Sequence, residues 1–240
     1  SHPEKGLFDS DEILQLKLNG QLKELLNDRE SQDPRYFPFH LSFVNEQGTE
    51  ITIPVDLKAR GHFRRMKANC SHPPLLIKFP GSGEQATTVF RDQHKLKLVM
   101  PCAGEEYIVR EWLVYKLYNL ITPRSFKARL VKIQLTDERN KKPVNPVYGI
   151  LLEDEAHMAS RNQATVVETK LRPQQTATGN FLTMSVFQFM IGNTDWSVEY
   201  LQNIKLMSLQ SGGAPVPVAY DFDHAGLVGA PYAQPAEELQ

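Results

Sequence analysis

At 240 residues, with 41% apolar and 23% charged content, the chain has the make-up of a globular protein with room for a real core. Its formal net charge of -1 gives no electrostatic reason to expect nucleic acid or a membrane surface as the main partner. No apolar run approaches the roughly eighteen residues a bilayer span needs.

The chain begins Ser1-His2-Pro3-Glu4-Lys5, without an initiator Met; this fits a removed signal peptide and equally fits a cloning remnant. Alternation over Ile13–Leu18 predicts a strand and Gln21–Asn27 a short helix. Pro34 and Pro38 bracket a break, and two β-rich segments follow, Phe39–Val44 and Glu50–Lys58, around an Asn45-Glu46-Gln47-Gly48 turn. Residues 58–70 form the most basic stretch, with five Lys or Arg. Leu75–Phe79 and Lys95–Val99 read as strands, and Glu105–Asn119 as a helix with a broad apolar face built from Ile108, Val109, Trp112, Leu113, Tyr115 and Leu117. Strands are expected over Arg129–Leu135 and Val147–Leu152, then a polar stretch over 155–180 and an apolar helix over 181–191. The order implies an α+β bilobal arrangement: a sheet-rich N-terminal lobe over 1–153, antiparallel and carrying one helix, and a mainly helical C-terminal lobe over 154–240. Of the two cysteines, Cys70 and Cys102, each ends a basic or strand-like stretch near a Pro, which favours a disulfide and an exported protein.

Two polar clusters near the C-terminal end suggest chemistry. Gly192-Asn193-Thr194-Asp195-Trp196 follows the apolar helix, Asn203 comes eight residues after Asp195, and Asp221-Phe222-Asp223 comes eighteen beyond that, at the end of an apolar strand. A carboxylate to orient an attacking hydroxyl, followed by an amide oxygen and a second carboxylate to hold Mg²⁺, is the set that phosphoryl transfer uses.

The combination of Arg60-Gly61, Pro73-Pro74-Leu75-Leu76-Ile77-Lys78-Phe79, Arg110-Glu111, Tyr148-Gly149-Ile150-Leu151-Leu152-Glu153 and Asp221-Phe222-Asp223 resembles the CotH-type spore-coat kinase family. Gly192-Asn193-Thr194-Asp195 with Asn203-Ile204-Lys205-Leu206 is similar to the catalytic loops of lipid kinases and secreted Golgi-type kinases. The resemblance covers about residues 55–233 and implies an atypical protein-kinase fold. It also implies an ATP- and Mg²⁺- or Mn²⁺-dependent phosphotransferase, acting on a hydroxyl acceptor that is a protein Ser/Thr or a small molecule. Asp195 would then be the catalytic Asp, Asn203 and Asp221 metal ligands, and Asp223 a second acidic ligand. Lys97 or Lys78 would touch phosphates, paired with Glu111 or Glu106, and the hinge Leu151–Asp154, with Glu153, would receive the adenine. Arg60, Arg64 and Arg65 or Gly81-Ser82-Gly83 would cover the phosphates.

The chain also departs from that pattern. Trp196 stands where the family has Arg, no Gly-x-Gly-x-x-Gly is present, and the Asp195–Asn203 gap is eight against about five in ordinary kinases. These departures support the alternative of a non-catalytic binding or envelope-structure protein on a kinase scaffold. Each residue also has a plainer role: Asp195 in a helix-terminating turn, Lys78 and Lys97 as outward strand lysines, Arg60, Arg64 and Arg65 on a solvated face, and His224 as a surface histidine. Oligomeric state is open at this level.

Overall fold

The computed structural model describes residues 5–81, 83–140, 142 and 144–234. Ser82, one of the candidate phosphate-covering residues, and Ser1–Glu4 lie outside the described residues. Two compact units divide the chain: one runs up to Val109 and includes Arg129–Leu152, and the other comprises Arg110–Ala128 and the chain from Glu153 on.

The first unit is a closed seven-stranded barrel. Its strands are β1 (Leu14–Gly20), β2 (Phe37–Val44), β3 (Glu50–Ala59), β4 (Leu75–Lys78), β5 (Lys95–Val99), β6 (Ala128–Asp137) and β7 (Val147–Leu152), in the order β1-β2-β3-β4-β5-β7-β6. Alternation puts Leu16, Leu18, Phe39, Leu41, Phe43, Ile53, Val55 and Leu57 inside, with Ile77, Leu96, Leu98, Val131 and Ile133, while Lys17, His40 and Lys78 face outward. Closure comes from a parallel pairing of β1 with β6, from Leu14 opposite Val131 to Gly20 opposite Asp137. The last residue of β1, Gly20, has no room for a side chain, because a Cβ there would collide with the carbonyl of Pro38.

Helix α1 (Leu22–Asp28) follows β1 directly. Gln21 supplies no side-chain cap; instead the Asp137 carboxylate at the end of β6 accepts the Lys23 N–H at 2.8 Å. Cys70 and Cys102 form the favoured disulfide, with Cα atoms 4.7 Å apart and a sequence separation of 32. Closing a loop of that length is worth about 2–4 kcal/mol. We therefore expect Cys102→Ser to lower the urea unfolding free energy by that amount; an unchanged midpoint would show that the bond does not restrict the unfolded chain.

The second unit contains most of α2 (Glu105–Ile121), α3 (Glu155–Arg161) and α4 (Thr178–Met190). It also contains a three-stranded antiparallel sheet of β8 (Ala164–Val167), β9 (Ile204–Leu209) and β10 (Val216–Ala219), ordered β10-β9-β8. Asp154 caps α3 by accepting the Ala156 N–H at 3.0 Å. Helix α4 stops at Gly192, whose φ of 65° suits glycine. The aromatic core joins α2, α4 and the segment after β10, with Tyr118 stacked on Phe187 at 4.4 Å and Phe222 edge-on to Tyr115 at 4.9 Å. Among the described residues no helix is long and apolar enough to cross a membrane.

This architecture corrects the kinase-like bilobal expectation. The predicted N-terminal antiparallel sheet is a closed barrel, because the strand alternation is the same for an open sheet and a barrel and the closing β1–β6 pair is parallel. The C-terminal part is not mainly helical, since it holds its own sheet.

Candidate functional site

The structure brings Asp195 and Asn203 together. Asn203 Nδ2 donates to the Asp195 carboxylate at 3.0 Å and to its carbonyl at 2.8 Å, and Gln202 Nε2 donates to the other carboxylate oxygen. These bonds clip a loop already closed by the Ser197–Gln202 bridge. Leu201, Asn203 and Asp221 all have positive φ, near 53°, 51° and 61°. Asn and Asp tolerate that region, whereas Leu is strained there. Asp221 follows Tyr220, whose N–H donates to the Asn203 carbonyl at 3.0 Å. The Asp221 N–H donates to the Tyr115 hydroxyl at 2.9 Å. Burial first, then the carboxylates of Glu111 and Asp221, raise the Tyr115 pKa well above its ordinary value. Asp223 is buried and accepts from the Tyr232 hydroxyl at 3.0 Å.

Glu153 is also buried. Arg161 forks onto it, Nε to Oε1 at 2.7 Å and Nη2 to Oε2 at 2.9 Å, and the Lys127 N–H adds a third bond at 2.9 Å. Glu111 is buried on α2 in the second unit, whereas Lys97 and Lys78 belong to the barrel unit. Lys78 faces outward with its ammonium 5.6 Å from the Tyr36 ring centre, beside Lys58 at 5.0 Å. Lys97 lies on β5, in register with Leu76 and Leu152. The Arg60 main chain donates to the Pro74 carbonyl at 2.9 Å. Arg64 and Arg65 spend guanidinium donors on the carbonyls of Met100, at 2.6 Å, and Ser31, at 2.8 Å. Among the described residues no group of three His, Cys, Asp or Glu side chains could hold a metal ion.

A concavity lies in the barrel unit, at the end where α1 meets the loop after β3. It encloses about 970 Å³, the upper part of the usual range of a small-molecule site. Leu22 and Leu26 of α1 supply apolar wall, and Asn69, Cys70 and Ser71 form the opposite side. Lys23, Lys67 and Arg139 bring positive charge, against Asp137. Arg139 is engaged with Asp137 and Glu24, whereas the Lys23 and Lys67 ammoniums enter no ion pair among the described residues.

Buried Arg29 holds the loop side in place: its guanidinium donates to the carbonyls of Arg65 (2.6 Å), Cys70 (2.8 Å) and Ser71 (2.9 Å), with Arg64 at 3.4 Å. Hydrogen bonds from the Lys23 and Arg139 main-chain N–H groups keep the Asp137 pKa below its ordinary value. Burial, then the charge of Arg29, lowers the pKa of His72 next to this wall, so near neutral pH it adds no cation. The sequence singled out Cys70 as a disulfide partner and Lys67 within the basic stretch 58–70, but not the group, because its members come from three distant segments and form no local motif.

No protein-family model matches the chain, and no curated protein matches it. Together with the closed barrel, this overturns the resemblance to CotH-type kinases. The ATP-dependent phosphotransferase, its hydroxyl acceptor and the Mg²⁺ or Mn²⁺ ions fall with it: the fold is not the one that houses that site, and the described residues contain no metal-chelating cluster. The non-catalytic kinase scaffold falls for the same reason. Three of the carboxylates read as a nucleotide and metal set have polar side-chain partners that tie the fold together: Asp195 clips a loop, Asp223 takes a tyrosine hydroxyl and Glu153 takes Arg161, while Asp221 is held through its main-chain N–H by Tyr115.

Proposed function

We propose that this chain is a ligand-binding protein whose barrel unit takes a small amphipathic anion, an acidic head on an apolar body, in the pocket between α1 and the Asn69–Ser71 wall. The observation that carries this reading is the combination of 970 Å³ of concave space with a leucine wall and two ammonium groups that enter no ion pair among the described residues. Lys23 and Lys67 meet the acidic head, and Leu22 and Leu26 cover the apolar body. The rigid support is a barrel wall on one side and a loop fastened by Arg29 and a disulfide on the other, which lowers the ordering cost of binding. The disulfide also supports work in an oxidising compartment outside the cytosol, as an exported protein.

The test is calorimetric titration of the full chain with decanoate and with decyl phosphate, using decanol as the neutral control. The two anions are expected to bind and decanol to bind much more weakly. Reversing both ammoniums, Lys23→Glu with Lys67→Glu, should weaken the anions about tenfold or more, two exposed charge contacts of ordinary size. Equal binding of decanol, or an unaffected double variant, would overturn the anionic-ligand reading.

A further inference from the structure

Helices α2 and α4 each expose a stripe of apolar side chains. On α2, Val114, Tyr115 and Tyr118 face the core, yet Leu113, Leu117, Leu120 and Ile121 are exposed at the i, i+4, i+7, i+8 spacing of a single helical stripe. On α4, Met184 and Phe187 are buried, while Leu182, Val186, Phe189 and Met190 are exposed at the same spacing. Phe189 is 87% exposed, Leu120 85% and Met190 68%. Single exposed apolar residues are ordinary on protein surfaces, but two complete stripes side by side are not.

The stripes adjoin because the helices run antiparallel. Arg124, just past the end of α2, bonds Asn180 in the first turn of α4 at 2.8 Å, and Tyr118 stacks on Phe187 further along. Between them, Ile121, Leu182, Thr183, Val186, Phe187 and Met190 line a hollow of about 380 Å³.

We infer that this face is the dimer interface of the protein, and that it takes a second copy of the same chain. Three features favour a second copy over a different partner. The eight side chains, at roughly 100 Å² each, amount to about 800 Å², one partner's share of a standard interface. α4 contains no charged residue along its whole length, so the α4 halves of two such faces meet without like-charge repulsion, and Lys116 of α2 is the one charged side chain within the span of the two stripes. The same face also carries projecting groups, Phe189 and Leu120, beside a hollow. A two-fold axis sets the projections of one copy into the hollow of the other, the self-complementarity an isologous interface requires. The product is a four-helix layer, two helices from each protomer.

Sedimentation velocity on the full chain across roughly 1–100 μM resolves a dissociation constant near 1 μM. The expected result is a species of twice 27.3 kDa that persists in 1 M NaCl, because an apolar contact is not screened by salt. Leu120→Glu with Phe189→Glu should return the mass to that of one chain while leaving the far-UV circular dichroism unchanged, since both side chains are already in water. A monomer throughout the concentration range would overturn the inference. So would a dimer that survives the double substitution or one that dissociates in salt.

Discussion

Replacing Arg29 with methionine is expected to lower the unfolding free energy by about 4 kcal/mol, the largest loss anticipated for a single charged residue in the barrel unit. Arg29 caps the C-terminal end of α1, where a cation is favoured, and its fork reaches four main-chain carbonyls on one loop. Methionine replaces much of the aliphatic stem but offers no donor. Each carbonyl left buried and unpaired costs about 1–3 kcal/mol, less what the loop recovers by relaxing toward water. Burial lowers the Arg29 pKa, a sign that desolvation weighs against the charge, so the carbonyl bonds are what make its position tolerable. Arg29→Lys keeps the charge but cannot match a planar fork, and should fall between the two, about 2 kcal/mol down. Urea unfolding at pH 7 measures both. A loss below about 1 kcal/mol for the methionine variant would show that the loop stands without Arg29 and that the disulfide alone fastens the pocket wall.

Strand positions were largely legible in the sequence because alternation is a local signal. Ile53, Val55 and Leu57 face inward, as their period-two pattern predicts. Barrel closure was not legible: β1 and β6 are paired across 117 residues, as in the Asn19–Thr136 contact, and nothing in either strand names its partner. The short strand Ala164–Val167 was hidden in a stretch read as polar, because four residues are too few to establish a period. Helix α2 was recognised as a helix, but its apolar residues run right round it. The pattern therefore could not show that Tyr115 points in while Leu113 and Leu117 point out.

The candidate site shows a different limit. Asp195 and Asn203 were read from their order as the catalytic and metal-binding residues of one site, and the contact they make clips a loop. Residue types in sequence order do not distinguish a carboxylate aimed at a ligand from one spent on its own neighbours. The pocket residues Lys23, Lys67 and Arg139 became a group only through the fold.

Phe222 shows how the same Asp-Phe-Asp segment acts when read through packing. Phe222→Ala is expected to cost about 3–5 kcal/mol. Its ring lies edge-on to Tyr115, at 4.9 Å, to Phe187, at 5.8 Å, and to Tyr118, at 6.0 Å, so truncation empties the meeting point of α2, α4 and the segment after β10. These neighbours cannot collapse readily into the space, since Tyr118 and Phe187 are stacked on each other and the Tyr115 hydroxyl is held by the Asp221 N–H. Phe222→Leu keeps most of the volume and should cost about 1.5 kcal/mol or less. The aspartates on either side are positioned by this ring: Asp221 sits in left-handed backbone and Asp223 is buried against Tyr232, and neither arrangement holds itself. Urea unfolding of the two variants separates the contributions. If alanine and leucine cost the same, the ring's edge contacts rather than its volume hold the unit together, and the aromatic pairs carry more than their usual 0.5–1.5 kcal/mol or so each. If alanine costs under about 1 kcal/mol, the segment after β10 is not anchored by Phe222, and the placement of both aspartates must come from the strand end alone.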